Sequence, residues 1–351
     1  MLPTAGTVML REIAAQPTTV EATVRRLRPL AGEIRSLVGD RRRVLLIARG
    51  TSDNAALYGQ YLLGARAGVL AAPACPSLSA LYHSSLDLSD TVAVGISQSG
   101  STEEIVAALR DAGRCGARTV AVTNEADSPL AGDADLALVT AAGHELAVPA
   151  TKTYTAQLVA LAVLALAIGD QRRLLDQLDE VPAHVAAMLA TATADAAAAL
   201  AERLRDVQRL VVTARGYALT TARELALKLQ EACLVAAVGL SSADLQHGPI
   251  AMLDAQTPAL LVASPTDGAV GEGMVELARR CRASGADVHV IGGDAALGAL
   301  ADVRLPGPGL PPELAPIPLI VPGQLLTAAL ARAKGLDPDT PRALSKVTQT
   351  A

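Results

Sequence analysis

Val44-Leu45-Leu46-Ile47-Ala48-Arg49-Gly50-Thr51-Ser52 is an apolar run that ends in a glycine turn, and a helical stretch over residues 54 to about 65 follows it. A run this short, unbroken by polar residues and stopped by a turn, reads as a strand buried on both faces. The phrase recurs. Residues 91–96 form a second such run, closed by Ser97-Gln98-Ser99-Gly100-Ser101-Thr102 and followed by a helix over 103–112. Residues 119–122 and 136–139 supply two more strands, and a long helix runs over about 151–167. Continuous apolar strands alternating with helices predict an α/β fold with a doubly wound parallel sheet flanked by helices.

The chain then repeats itself. Leu210-Val211-Val212-Thr213-Ala214-Arg215-Gly216 echoes residues 44–50, and residues 282–290 echo residues 114–122, at offsets of about 166–169 residues. Two tandem α/β subdomains follow from this. The expected layout is a helical segment over 1–40, a first subdomain over 41–170, a helical linker over 171–207, a second subdomain over 208–335 and a tail over 336–351. Seven prolines between Pro306 and Pro322 predict an extended stretch, with a final helix over about 324–334.

Composition narrows the function classes. The 351 residues carry 30 Lys+Arg against 35 Asp+Glu, a net charge of −5, which argues against a nucleic-acid partner. There are five Tyr and no Phe or Trp, so stacking platforms for bases are scarce. Four scattered cysteines with no C-x-x-C pair fit reduced thiols in a cytoplasmic protein. The first residues, MLPTAGTVMLREIAAQP, lack the basic-then-apolar pattern of a signal peptide. The longest apolar run, 158–168, is too short to span a bilayer, so no membrane partner is expected.

Three places carry candidate chemistry. The Ser97–Thr102 loop joins a buried strand to a helix start, where N–H groups and hydroxyls suit a single phosphate; helix capping by the same hydroxyls is the alternative. No P-loop or dinucleotide fingerprint accompanies it. Glu224, Lys228 and Glu231 share one helix face at i, i+4 and i+7; they are either a solvated set of ion pairs or, given the apolar residues between them, a base with its partner. His247, set before Gly248-Pro249, is placed for proton transfer or is a hydrogen-bonded structural histidine. His83, His144, His184 and His289 read as structural or surface residues, and no two histidines have metal-ligand spacing. Neither a metal nor an organic cofactor is called for. Lys346 by itself reads as a solvated terminal charge.

Taken together, GTS at 50–52, SQSGST at 97–102, ELAVPATK at 145–152, ELALKLQE at 224–231, LQHGP at 245–249 and PRALSKVT at 341–348 resemble the sugar isomerase (SIS) family. Within it the chain is similar to the isomerase half of glucosamine-6-phosphate synthases and, in its ending, to stand-alone SIS-type glucosamine-6-phosphate deaminases. The resemblance implies two SIS subdomains with five parallel strands each, and a homodimer. It implies that Ser52, Ser97, Gln98, Ser99 and Thr102 bind a sugar phosphate with Thr51 beside them, and that Val148 and Ala150 line the sugar. It makes Glu231 the proton shuttle between C1 and C2, with Lys228 next to it. It has His247 reach the neighbouring subunit's site and assist ring opening, and makes Lys346 the amine that forms a Schiff base with an open-chain ketose phosphate. Two departures matter: the synthases' glutaminase domain is not expected here, and Ala150 replaces a serine. The expected activity is conversion of glucosamine 6-phosphate to fructose 6-phosphate and ammonia. Alternatives are an aldose–ketose phosphosugar isomerase, a deglycase for another amino-sugar phosphate or fructose–amine conjugate, and a non-catalytic sugar-phosphate-binding regulator.

Overall fold

A computed structural model describes residues 6–346. Val347 and Thr348, part of the last motif, and residues 349–351 of the expected tail lie outside the described residues. The chain divides into two compact units. One comprises residues 18–145 and 152–179; the other comprises residues 180–346 with residues 6–17 and 146–151. The helices over 171–207 are therefore not a free-standing linker. Arg172–Gln177 belongs to the first unit, whereas Val181–Met188 and Thr191–Arg203 bury Val185, Leu200 and Ala201 within the second.

In the unit of residues 18–145 and 152–179, five strands form one parallel sheet: β1 (Arg43–Ile47), β2 (Leu70–Pro73), β3 (Thr91–Ile96), β4 (Arg118–Thr123) and β5 (Leu136–Val139), in the order β2-β1-β3-β4-β5. Every residue of central β3 is buried, as a strand covered on both faces requires. Alternate side chains serve alternate faces. Ile47, Ala93 and Ala121 pack under helix Glu103–Arg114 with Ile105 and Leu109. Helix Lys152–Ile168 is buried along sixteen of its residues, because it is apolar on every side. The short edge strand β2 escapes sequence detection: Leu70-Ala71-Ala72-Pro73 is apolar, but two alanines ending in a proline carry little strand signal, and only Ala71 is buried.

The second unit repeats the plan. Strands β6 (Arg209–Ala214), β7 (Ala236–Ser241), β8 (Ala259–Ala263), β9 (Val288–Gly292) and β10 (Val303–Leu305) pair in parallel in the order β7-β6-β8-β9-β10, which matches the first sheet strand for strand. Val211, Leu261 and Val290 meet Met274, Leu277 and Cys281 of helix Gly268–Ala283 on one face. The expected extended stretch is corrected here: helix Pro316–Ala333 begins at Pro316, not near 324. Pro316 and Pro318 stand in its first turn, where N–H groups have no intrahelical acceptor and proline loses nothing. Only Pro322 lies in the interior. This helix is long and apolar enough to cross a membrane, but 78% of it is buried inside the fold, as in the core helix of a globular unit.

Candidate active site

Each sheet reverses direction beside its first strand. From β1 the chain goes to β2 on one side and returns to β3 on the other, which opens a crevice at the carboxyl ends of β1 and β3. The two sequence motifs of this unit lie at those ends. Gly50, at φ 56°, turns the chain after β1 and places Thr51 and Ser52 in the first turn of helix Thr51–Leu62. Ser52 is buried, and its Oγ accepts a hydrogen bond from Gln157 Nε2 at 3.0 Å, which leaves the hydroxyl proton available to donate. Gln157 was not found from sequence; its signal is a lone amide just before the unbroken apolar run 158–168. Its own Oε1 has no hydrogen-bond partner among the described residues.

The Ser97–Thr102 loop follows β3. Thr102 occupies the N-cap of helix Glu103–Arg114 yet makes no side-chain capping bond; its Oγ1 lies 3.2 Å from Ser97 Oγ instead. That removes the simplest alternative for these hydroxyls. Ser99 Oγ accepts from Ser101 Oγ at 3.0 Å and from Ser101 N at 3.3 Å. Gln98 is held through its backbone oxygen, which takes the Asn124 N–H at 3.0 Å. Gly100 has φ 61°, and a Cβ there would come within 2.1 Å of Ser128 Oγ, so only glycine fits. The loop is thus fixed from behind by the turn after β4. Arg49 flanks it, paired with Glu104 at 2.7 Å.

The other unit holds the charged cluster. Helix Leu219–Cys233 buries Leu225, Ala226, Leu229 and Ala232. On the same helix the Lys228 side chain is 2% exposed and lies between two carboxylates, 3.6 Å from Glu224 and 2.5 Å from Glu231. A buried ammonium needs such partners. The two carboxylates differ: Glu224 is fully enclosed, whereas the Glu231 side chain is 23% exposed and reachable. One carboxylate is structural by burial, and the other can exchange a proton with a ligand. Sequence spacing found the face but not this division of labour.

Lys346 and Val148 meet in this unit. The Lys346 ammonium donates to Ala147 O at 2.7 Å and to Val148 O at 3.5 Å. Val148 and Ala150 are half-buried on the short segment 146–151. His247 is exposed, just past helix Ser242–Gln246, and its backbone N–H donates to Asp244 O. Of the remaining histidines, His289 is wholly buried in β9, and the others lie at or near the surface. Among the described residues no group of three His, Cys, Asp or Glu is placed to hold a metal.

Comparison with known proteins bears on the fold and the family. The SIS domain family matches residues 37–167 and 203–305, segments that contain β1–β5 and β6–β10. The glutamine–fructose-6-phosphate aminotransferase of Thermococcus kodakarensis is 35% identical over 349 residues, covering 96% of this chain; the chain spans 57% of that protein's length. The C-terminal domain of glucosamine-fructose-6-phosphate aminotransferase from Francisella tularensis superposes with a TM-score of 0.85 at 27% identity, covering 95% of this chain and 98% of that one. Glucosamine-6-phosphate deaminase from Thermotoga maritima shares the fold, with a TM-score of 0.79 at 23% identity over 98% of this chain and all of that one. With both sheets inside the matched segments and close similarity to an aminotransferase isomerase domain along almost its whole length, the chain belongs to the SIS domain family.

Proposed function

We propose that the chain is an amino-sugar phosphate deaminase/isomerase that converts glucosamine 6-phosphate and water to fructose 6-phosphate and ammonia. The observation that carries this reading is the pairing of the accessible Glu231 carboxylate with the buried Lys228 ammonium, on a chain that also holds an uncapped hydroxyl loop at a sheet switch point. The relatives' names place sugar phosphates in this family, and one neighbour with the same fold is a glucosamine-6-phosphate deaminase.

The roles are assigned residue by residue. Ser52, Ser97, Gln98, Ser99 and Thr102, with Thr51 beside them, take the phosphate; a phosphate oxygen accepts where hydroxyls donate. Val148 and Ala150 line the sugar. Once the ring is open, Glu231 removes the C2 proton and returns it at C1, a transfer for a positioned carboxylate. The C2 amine becomes an iminium, water adds at C2, and ammonia leaves. Lys228 holds Glu231 in place, and Lys346 supplies a positive charge or an amine to the open-chain sugar. His247 assists ring opening in the neighbouring subunit of a homodimer, to which its exposure on its own chain suits it. The four thiols are free, in keeping with a cytoplasmic enzyme.

The test is to incubate the protein with glucosamine 6-phosphate and to assay ammonia and fructose 6-phosphate together. Equal yields are expected. Glu231→Gln should lower turnover by about 10²–10⁴-fold while the sugar phosphate still raises the melting temperature. Unchanged turnover would remove Glu231 from the role of base. Neither product appearing, while glucosamine 6-phosphate still raises the melting temperature, would move the reaction to another substrate.

A further inference from the structure

The segment that carries Lys346's two acceptor carbonyls is held on its other edge by a closed ring of hydrogen bonds. Leu146 N–H and Ala147 N–H donate to the two oxygens of Glu12, at 2.5 Å and 3.2 Å. Val148 N–H donates to the backbone oxygen of Asp339 at 2.9 Å. The Asp339 carboxylate in turn accepts from Val8 N at 3.1 Å and Met9 N at 2.7 Å, in the first turn of helix Thr7–Ala14, the helix that bears Glu12. So the ring runs from Glu12 to segment 146–148, on to Asp339 and back to the same helix. Glu12 is 6% exposed, and its helix belongs to the same unit as segment 146–151 and Lys346.

The chemistry of this ring is directional. Three consecutive N–H groups point at a carboxylate and a carbonyl; the carbonyls of Ala147 and Val148 are left for the ammonium. The peptide joining Ala147 to Val148 takes Lys346 at its oxygen and gives its N–H to Asp339, and a hydrogen bond at one end of a peptide strengthens the one at the other. Pro149 has no N–H and restricts Val148 to extended geometry, which fixes where that carbonyl points. The Asp339 carboxylate at a helix start is favoured by the helix dipole as well as by its two bonds.

We propose that Glu12 and Asp339 are positioning residues for Lys346, acting through segment 146–148. This deepens the function proposed above and rests on it for Lys346's catalytic part. In Glu12→Gln one N–H acceptor is replaced by a donor. In Asp339→Ala the ring opens at the helix. Glu12→Gln loosens the segment directly; Asp339→Ala keeps the backbone oxygen that holds Val148 N–H but releases that stretch from the helix, and in both Lys346 loses a fixed pair of acceptors.

The experiment has an arm that needs no substrate. Lysine modification by an acylating reagent at fixed pH is followed at Lys346, with Lys334 as internal standard, since its ammonium is tied to Val207 O at 2.9 Å outside the ring. Both variants are expected to raise the Lys346 rate relative to Lys334 by about threefold or more. In turnover, kcat is expected to fall about 10–100-fold with KM held within about twofold, since the phosphate contacts are untouched. An unchanged Lys346 rate, or a loss confined to KM, would overturn the proposal. Amide exchange in the unsubstituted protein judges the same ring without any variant: Leu146, Ala147 and Val148 N–H should exchange slowly, and fast exchange there would overturn it too. Lys346→Ala separates the two readings. If it stays fully active, the catalytic part assigned to Lys346 fails, and labelling still decides the anchoring.

Discussion

His289 sits on β9, an interior strand, with neither ring nitrogen hydrogen-bonded among the described residues. Burial pushes its imidazole down to about 4, against the pull of Asp287 and Asp302, while Arg203 pushes in the same direction as burial. The folded value thus lies below the ordinary value near 6.5. Between the two, the unfolded chain binds a proton that the folded chain refuses. Stability from this residue is therefore complete above about pH 6.5 and declines as pH falls, at up to about 1.4 kcal/mol per pH unit, until about pH 4. From pH 7 to pH 5 the loss is up to about 2 kcal/mol. Urea titrations at both pH values should show that loss in the unsubstituted protein and a flatter response in His289→Leu. Equal slopes in the two proteins would mean that the ring is satisfied in solution, by a water or a local opening. Sequence alone left this histidine as structural or surface, and the depressed titration comes from its strand being covered on both faces, which no local pattern reports.

On the scale of single elements, helix Leu219–Cys233 shows how far sequence reaches. The i, i+4, i+7 spacing was enough to put Glu224, Lys228 and Glu231 on one face. It could not say that Lys228 and Glu224 would be enclosed while Glu231 kept an opening, because burial depends on what packs over the helix. The same limit governs the rest of the chain. β1, β3, β4 and β5 were legible as apolar runs, but β2 is an edge strand with one buried residue and was not. Pro316, Pro318 and Pro322 read as extended chain, since proline usually breaks helices; a buried position and a first-turn start override that tendency. The enclosed pair on helix Leu219–Cys233, Glu224 and Lys228, yields a prediction. Lys228→Met leaves Glu224 enclosed without its ammonium and should cost about 3–5 kcal/mol. The double variant Glu224→Gln/Lys228→Met removes both charges and should recover most of that loss in chemical denaturation. If the single variant unfolds at the same denaturant concentration as the unsubstituted protein, Glu224 does not depend on Lys228 for its burial.

Across the whole molecule, two units of one topology have diverged in chemistry. In the first, the crevice between β1 and β3 is edged by hydroxyls and a glycine. The corresponding turn after β8 is Ser264-Pro265-Thr266-Asp267, and Asp267, whose carboxyl burial pushes up from its ordinary value, lines a cavity of only about 30 Å³. A carboxylate in that place repels a phosphate, and the charged residues of interest in this unit, Glu231 and Lys346, lie on other elements. His247 is exposed on its own chain, and the proposed homodimer assigns it to the neighbouring copy's site. Mixing tests that assignment. Glu231→Gln and His247→Ala are each expected to be nearly inactive alone. In a mixed dimer, the His247→Ala chain keeps its Glu231 and receives an intact His247 from its partner, so one of the two sites is whole. Random exchange at equal amounts makes half the dimers mixed and should restore about a quarter of the unsubstituted activity. A histidine that served its own chain would leave every mixed site lacking either Glu231 or His247, and the mixture would stay as inactive as its parents.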